Sequence, residues 1–363
     1  MDANEPRQSL RRGWTTGSCA TAATRSAFAA LVTGEFLDPV DILLPNGSRP
    51  AFALALQELG EGFARAGVVK DAGDDPDVTH GALVCAAVRA GAPGSGVTFR
   101  AGEGVGTVTR AGLPIAPGEP AINPVPREMM RTAIAETAGA LGARGDVVIE
   151  ISIPGGAAIA ERTWNGRLGI VGGLSILGTT GIVIPYSCSA WIASIHRGID
   201  VARAAGLGHV AAATGKTSEA AVAALTGLPG HALIDMGDFA GGMLKYLRTH
   251  PVARVTIAGG FAKMTKLGQG LLDLHSRAGE VDRGWLAALL AEKGAPAGLV
   301  ARVPEMNTAK QVLDEAEAFD LPLAAWVAEA ARRTAQGVVE DSGVAVEIVV
   351  VDRAGRIAGR AGG

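Results

Sequence analysis

Apolar and polar positions alternate most clearly between Asp146 and Ile153, where Val147, Ile149, Ile151 and Ile153 share one face and predict a half-buried strand. Near the start, Thr15-Thr16-Gly17-Ser18 precedes an Ala-rich run from Cys19 to Leu31 that ends before Gly34. Hydroxyl side chains ahead of good helix formers predict a capped helix. Asp41–Leu44 and Phe52–Leu56 read as strands around the turn Pro45-Asn46-Gly47. Ala82–Arg89 is a short apolar run, and Val97–Arg100 with Gly106–Arg110 predicts a hairpin around Ala101–Val105. Residues 127–141 read as a helix behind the stiff, proline-rich segment 118–126.

The texture changes after residue 165, where strand-like and helix-like runs alternate. The pairs are Gly181–Pro185 with Ser187–Ala205, Val210–Thr214 with Lys216–Leu225, and Ala232–Asp235 with Phe239–Arg248. Arg254–Ala258 then leads into a glycine-bearing segment. Repeated βα units predict a parallel sheet covered by helices. Residues 281–340 read mainly as helices, and Val344–Asp352 closes the pattern as a strand before a turn at Ala354-Gly355. The expected architecture is an α+β domain over residues 1–165, followed by a Rossmann-like α/β domain over 166–363 with a mainly parallel sheet.

Composition narrows the function classes. Aromatics are 4% of the 363 residues and glycines number 51, which describes an Ala/Val/Gly-rich globular chain with many tight turns. The 33 basic and 36 acidic residues give a net charge of −3 without a basic cluster, so no nucleic-acid partner is expected. Cys19, Cys85 and Cys188 lie far apart, a pattern that suits neither a zinc site nor a disulfide framework and fits a reducing compartment. The N-terminal stretch lacks the apolar core of a secretory signal and no run is long enough to span a bilayer. A cytoplasmic protein without a membrane partner is the expectation, and homo-oligomer formation stays open.

Several segments carry candidate chemistry. Residues 69–81 hold Asp71, Asp74, Asp75 and Asp77 with Lys70 and His80, broken by Gly and Pro. Such a loop suits carboxylate binding of Mg²⁺ or Ca²⁺, a base or proton relay through Asp75, Asp77 and His80, or a network of Asx turns. Thr214-Gly215 follows a predicted strand and Asp235 ends the next one, the place where an acid takes ribose hydroxyls in nucleotide-binding α/β domains. Capping of the following helix is the competing role for Asp235. Thr214-Gly215-Lys216-Thr217 also resembles the end of a P-loop, but Val210 stands where that motif needs its first glycine. Gly102-Glu103-Gly104-Val105-Gly106 opens no helix, so a flexible hairpin tip is expected there rather than a dinucleotide fingerprint. The helix start at Thr15–Ser18 suits either an anion or simple capping. Asn123 and Arg127 flank a backbone stiffened by prolines, as a binding loop would.

Taken together, Arg12–Ala20, the Lys70–Gly81 loop, the segment from Gly118 to Arg127 and the block from Arg167 to Gly181 resemble the signature blocks of the CbiD family, the cobalt-precorrin-5B C(1)-methyltransferases of oxygen-independent cobalamin synthesis. The resemblance covers nearly the whole chain and is less distinctive after residue 280. It implies an S-adenosylmethionine-dependent C-methyltransferase whose small-molecule substrate is a corrinoid that brings its own cobalt, with no metal held by the protein. On that basis Thr214, Gly215 and Asp235 are expected at the methyl donor, and Thr15, Thr16, Ser18, Asn123 and Arg127 at the corrinoid. Asp75, Asp77 and His80 are expected to orient the ring or manage protons. Two rivals use the same residues differently: a metal-dependent hydrolase built on the Asp-rich loop, and a non-catalytic corrinoid-binding protein.

Overall fold

The computed structural model describes residues 10–363. Residues 1–9, most of the stretch from which the sequence predicts no secretory signal, lie outside the described residues. The chain divides into two compact units, one ending at Ser187 and the other running from Cys188 to Gly363.

The first unit opens with the short strand β1 (Gly13–Trp14) and helix α1 (Thr16–Thr33). Thr15 is extended and its hydroxyl accepts the Ser18 N–H at 3.2 Å, while Gly34 ends the helix in the left-handed region at φ 83°. Both caps are those the sequence predicts. Small residues fill α1, so it is buried almost all round, with Cys19, Ala20, Ala22, Ala23 and Ala27 fully inside. The pair β2 (Val40–Asp41) and β3 (Ala51–Phe52) is antiparallel and shorter than expected. Its arm continues towards the turn through bonds from Ile42 N to Pro50 O and Leu44 N to Ser48 O. Leu56 instead starts β4 (Leu56–Gly60), which pairs with β5 (Phe63–Val69), and β5 pairs with β6 (Leu83–Ala90). The Asp-rich loop is therefore the connection between β5 and β6.

The predicted hairpin of Val97–Arg100 with Gly106–Arg110 does not form. Strand β7 (Val97–Ala101) lies parallel to β9 (Val147–Ser152), and β8 (Thr107–Val108) pairs with β10 (Ile170–Val171). The intervening segment is not a flexible tip. Gly102 N–H donates to Ile151 O at 2.8 Å, and Gly104, at φ 71°, lies so close to Ile153 that a Cβ would stand 2.0 Å from its carbonyl. The glycines turn the chain out of one sheet and into another. Helix α2 (Pro124–Leu141) precedes β9, whose alternation of buried and half-buried residues is the predicted one. The five-stranded sheet has the order β4-β5-β6-β9-β7, and α1 and α2 share a core with its buried face. The short helix α3 (Gly156–Ala160), β10 and β11 (Ile182–Val183) complete the unit. Because β11 pairs with β1, Gly181–Pro185 does not open the second sheet, and residues 166–187 run with the first unit rather than after a boundary at 165.

The second unit begins with α4 (Cys188–Ala204) and continues as β12 (His209–Ala213), α5 (Lys216–Thr226), β13 (Leu233–Asp235), α6 (Ala240–Thr249) and β14 (Arg254–Gly260). Helices α7 (Phe261–Gly268), α8 (Arg283–Glu292), α9 (Ala297–Arg302), α10 (Ala309–Ala318) and α11 (Leu323–Val338) follow, then β15 (Ala345–Val351) and β16 (Ile357–Ala361). The sheet order is β13-β12-β14-β15-β16, parallel through β15, with β16 added antiparallel at the edge. Strand β16 lies beyond the turn at Ala354-Gly355 where the predicted elements end. Successive residues face opposite layers: Ala211, Ala258 and Val349 pack with α5, whereas Val210, Ala212, Ile257 and Ile348 pack with α4, α6, α7 and α11. Among the described residues no helix is long and apolar enough to cross a membrane.

Candidate functional site

Four stretches far apart in the sequence meet in the first unit. Trp14 N–H donates to Asp71 O at 2.7 Å, Thr15 N–H to Gly181 O at 3.1 Å, Gly17 N–H to Leu177 O at 3.0 Å and Asn123 N–H to Ile176 O at 2.9 Å. Gly13 is pressed so tightly on the Asp-rich loop that a Cβ would lie 2.0 Å from the Ala72 carbonyl carbon. The start of α1, the Asp-rich loop, the start of α2 and the loop before β11 thus form one bonded cluster.

Thr15, Thr16 and Ser18 are buried in it. Thr15 caps α1, Thr16 Oγ1 bonds Leu177 O at 3.2 Å and Ser18 Oγ bonds Gly181 O at 2.7 Å. These hydroxyls, expected from the sequence at the corrinoid, pin the loop 175–181 onto the helix. The Gly17, Ser18 and Cys19 amides at this helix start also have acceptors within the chain, the capping role that the sequence left open. Replacing Thr15 by Ala is expected to lower stability by about 1 kcal/mol through loss of the cap, and Thr15→Ser to recover most of it. Urea unfolding of the two variants measures this.

The Asp-rich loop spends its carboxylates on different partners. Arg11 grips Asp71 in a bidentate pair and its N–H donates to Asp74 at 2.6 Å. Hydrogen bonds from Arg11 and from the Gly73 N–H hold the Asp71 carboxyl down at about 2. Asp75 accepts the Tyr186 N–H at 2.8 Å. Asp77 takes the Lys70 ammonium at 2.6 Å and both the N–H and hydroxyl of Thr79. Burial opposes the charge on Asp77, but the Lys70 ammonium and these hydrogen bonds outweigh it and keep the carboxyl below its ordinary value. Asp71 with Gly73 and Asp77 with Thr79 make Asx turns, the third of the roles open from sequence. Among the described residues no group of three or more His, Cys, Asp or Glu converges as metal ligands would. His80 is exposed, and its Nδ1 accepts the Ala72 N–H at 3.1 Å, so the neutral ring carries its proton on Nε2.

Asn123 and Arg127 part company. Arg127 is committed within the chain: its guanidinium bonds Ile122 O at 2.8 Å, Pro120 O at 3.1 Å and the Glu119 carboxylate, and it lies over Phe99. It stiffens the segment 119–122 rather than projecting from it. Asn123 stands at the cap position of α2 and makes no capping bond. Pro126 stands at the third helical position and has no N–H there to be capped, and the Asn123 carboxamide is left for another partner. Leu177, Ile184 and Tyr186 are 50%, 51% and 67% exposed, so this unit also offers an apolar surface.

In the second unit the strand order reverses between β12 and β14, and the carboxyl ends of strands at such a reversal are where parallel α/β sheets bind ligands. Thr214 and Gly215 lie there, and Asp235 ends the neighbouring β13. Gly215 is extended and a Cβ on it would meet open space. Three residues at this edge were not found from the sequence. The Trp191 indole is 45% exposed, donates to Asp235 O at 3.1 Å and lies beside Phe239, with ring centres 6.3 Å apart. Lys263 donates to Thr214 O at 3.1 Å and stands 2.9 Å from Asp238 Oδ1. Their sequence neighbourhoods look ordinary, and only the strand order brings them together.

Comparison with known proteins agrees across both units. The CbiD family model matches residues 3–185, and that of the CbiD C-terminal domain matches residues 273–362. A cobalt-precorrin-5B C(1)-methyltransferase of Bradyrhizobium sp. is 66% identical over 97% of this chain and 93% of that relative. One from Paramagnetospirillum magneticum is 62% identical over 98% and 99%. The crystal structure of a cobalamin biosynthesis protein (cbiD) from Archaeoglobus fulgidus is 28% identical, covers 69% of this chain and 77% of that one, and superposes with a TM-score of 0.39.

Proposed function

This chain belongs to the CbiD family, and from that premise we propose that it methylates C-1 of cobalt-precorrin-5B, giving cobalt-precorrin-6A, with S-adenosylmethionine as donor. Identity of 66% across 97% of the chain to a relative of that name carries the assignment. The donor, when bound, supplies a methyl group on a sulfonium, already activated for transfer to carbon. The protein's part is alignment and water exclusion, worth roughly 7–11 kcal/mol for a well-held pair of reactants. No thiol nucleophile is called for, and burial pushes the Cys19 thiol up to about 12, out of use at neutral pH.

A Rossmann-like role for the second unit suits its strand order, and the residues at the crevice fit a nucleoside. Gly215 leaves room for close approach, Asp235 stands at a strand end where ribose hydroxyls are taken, and Trp191 offers an exposed ring for a base. On the corrinoid side, Asn123 has a free carboxamide and Leu177, Ile184 and Tyr186 an apolar surface suited to a macrocycle face. Among Asp75, Asp77 and His80, proton handling falls to His80, because the two carboxylates hold the loop that carries it.

Calorimetric titration with S-adenosylhomocysteine beside Mg-ATP tests the donor assignment. Saturable binding of the first alone is expected, and binding of Mg-ATP alone would overturn it. Trp191→Phe is expected to remove most of the tryptophan fluorescence change that S-adenosylhomocysteine produces. An unchanged signal would take Trp191 out of the site.

A further inference from the structure

Resting on the reading that the donor binds at the carboxyl edge of the second unit's sheet, we infer that Lys263 and Asp238 are the residues that recognise its amino-acid end. Three strand ends supply the parts: Thr214 follows β12, Asp238 follows β13, and Lys263 lies in the first turn of α7, which follows β14. A lysine in a helix's first turn sits against the positive end of the helix dipole, an unfavourable place that calls for a nearby anion. Asp238 answers only in part. Its Oδ1 is buried and ion-paired with the Lys263 ammonium at 2.9 Å, without the alignment of a hydrogen bond. A better-aligned donor arriving with a ligand would strengthen what this oxygen accepts.

The Lys263 ammonium has a hydrogen-bonding partner in Thr214 O and holds further N–H donors. The first amides of α7 lie beside it and have no acceptor earlier in the helix. A ligand carrying an α-ammonium next to an α-carboxylate complements this arrangement charge for charge. Its ammonium takes Asp238, and its carboxylate takes Lys263 with the α7 amides. Binding exchanges one internal ion pair for two intermolecular ones, so no charge is left alone. A nucleoside thioether without the amino acid would leave the internal pair as it is.

Binding of S-adenosylhomocysteine and of 5′-methylthioadenosine, which lacks the amino acid, separates the outcomes. The parent protein is expected to prefer S-adenosylhomocysteine by about tenfold or more, the value of one charged hydrogen bond. Lys263→Met and Asp238→Asn are expected to abolish that preference while leaving the affinity for 5′-methylthioadenosine unchanged. Lys263→Arg is expected to keep part of it. Equal weakening of both ligands would mean that the pair only shapes the edge, and would overturn the inference. So would the absence of any preference in the parent protein. Asp235→Ala separates the two levels. If it weakens S-adenosylhomocysteine while Lys263→Met does not, only the Lys263–Asp238 role fails. If neither variant changes binding, the placement of the donor at this edge fails with it.

Discussion

Lys70→Met is expected to destabilise the first unit by about 3–5 kcal/mol, the usual cost of removing one partner from a buried ion pair. Lys70 is 2% exposed and its ammonium sits on Asp77, so the variant leaves a mostly buried carboxylate without its cation. The double variant Lys70→Met/Asp77→Leu is expected to recover much of the loss, because no lone charge remains. The pH dependence follows from the direction of the Asp77 shift. A carboxyl whose folded value is lowered contributes stability above its unfolded value, near 4, and loses that contribution as pH falls through the folded value. In Lys70→Met the lowering due to the ammonium is lost, and burial is opposed by the Thr79 hydrogen bonds alone. The gap between parent and variant is therefore expected to be wide at pH 7 and to narrow as the pH drops below about 4. Denaturant unfolding across that range measures it, and a gap that stays constant would contradict the role given to the pair.

Asp235→Ala is expected to weaken S-adenosylhomocysteine binding by about tenfold to hundredfold, the range for hydrogen bonds to a charged group, with little change in melting temperature. The side chain ends a strand at the crevice and is only partly covered, so its removal opens no core cavity. Isothermal titration of the variant beside the parent decides the matter. An unchanged dissociation constant would remove Asp235 from the donor site and leave it to local structure.

Much of this was written locally in the chain. The caps of α1 are short-range hydrogen bonds between neighbours, and the β9 alternation reflects one buried face, so both are legible in a few residues. Asp235 is proposed at the donor because a βα series puts an acid at a strand end, and the structure does place it at the end of β13. Pairing was not legible: β7 alternates as a hairpin arm would, and only the packing of Gly104 on Ile153 sends the chain elsewhere. The Asp-rich loop stayed open to three readings for a related reason, and its Asx turns are the one that the hydrogen bonds show. Its composition shows four carboxylates and one lysine, but which of them turns inward depends on Arg11, Tyr186 and the β5–β6 ladder around it. Hydroxyls at a helix start likewise look available in sequence, and Thr16 and Ser18 are claimed by carbonyls about 160 residues away. Trp191, Lys263 and Asp238 gain meaning only once the sheet order is known.

The most direct test supplies the purified protein with cobalt-precorrin-5B and S-adenosylmethionine labelled in its methyl group. The label is expected at C-1 of the tetrapyrrole, with one equivalent of S-adenosylhomocysteine formed per product. A corrinoid that binds while the label stays on the donor would contradict the assignment and leave a binding protein in its place.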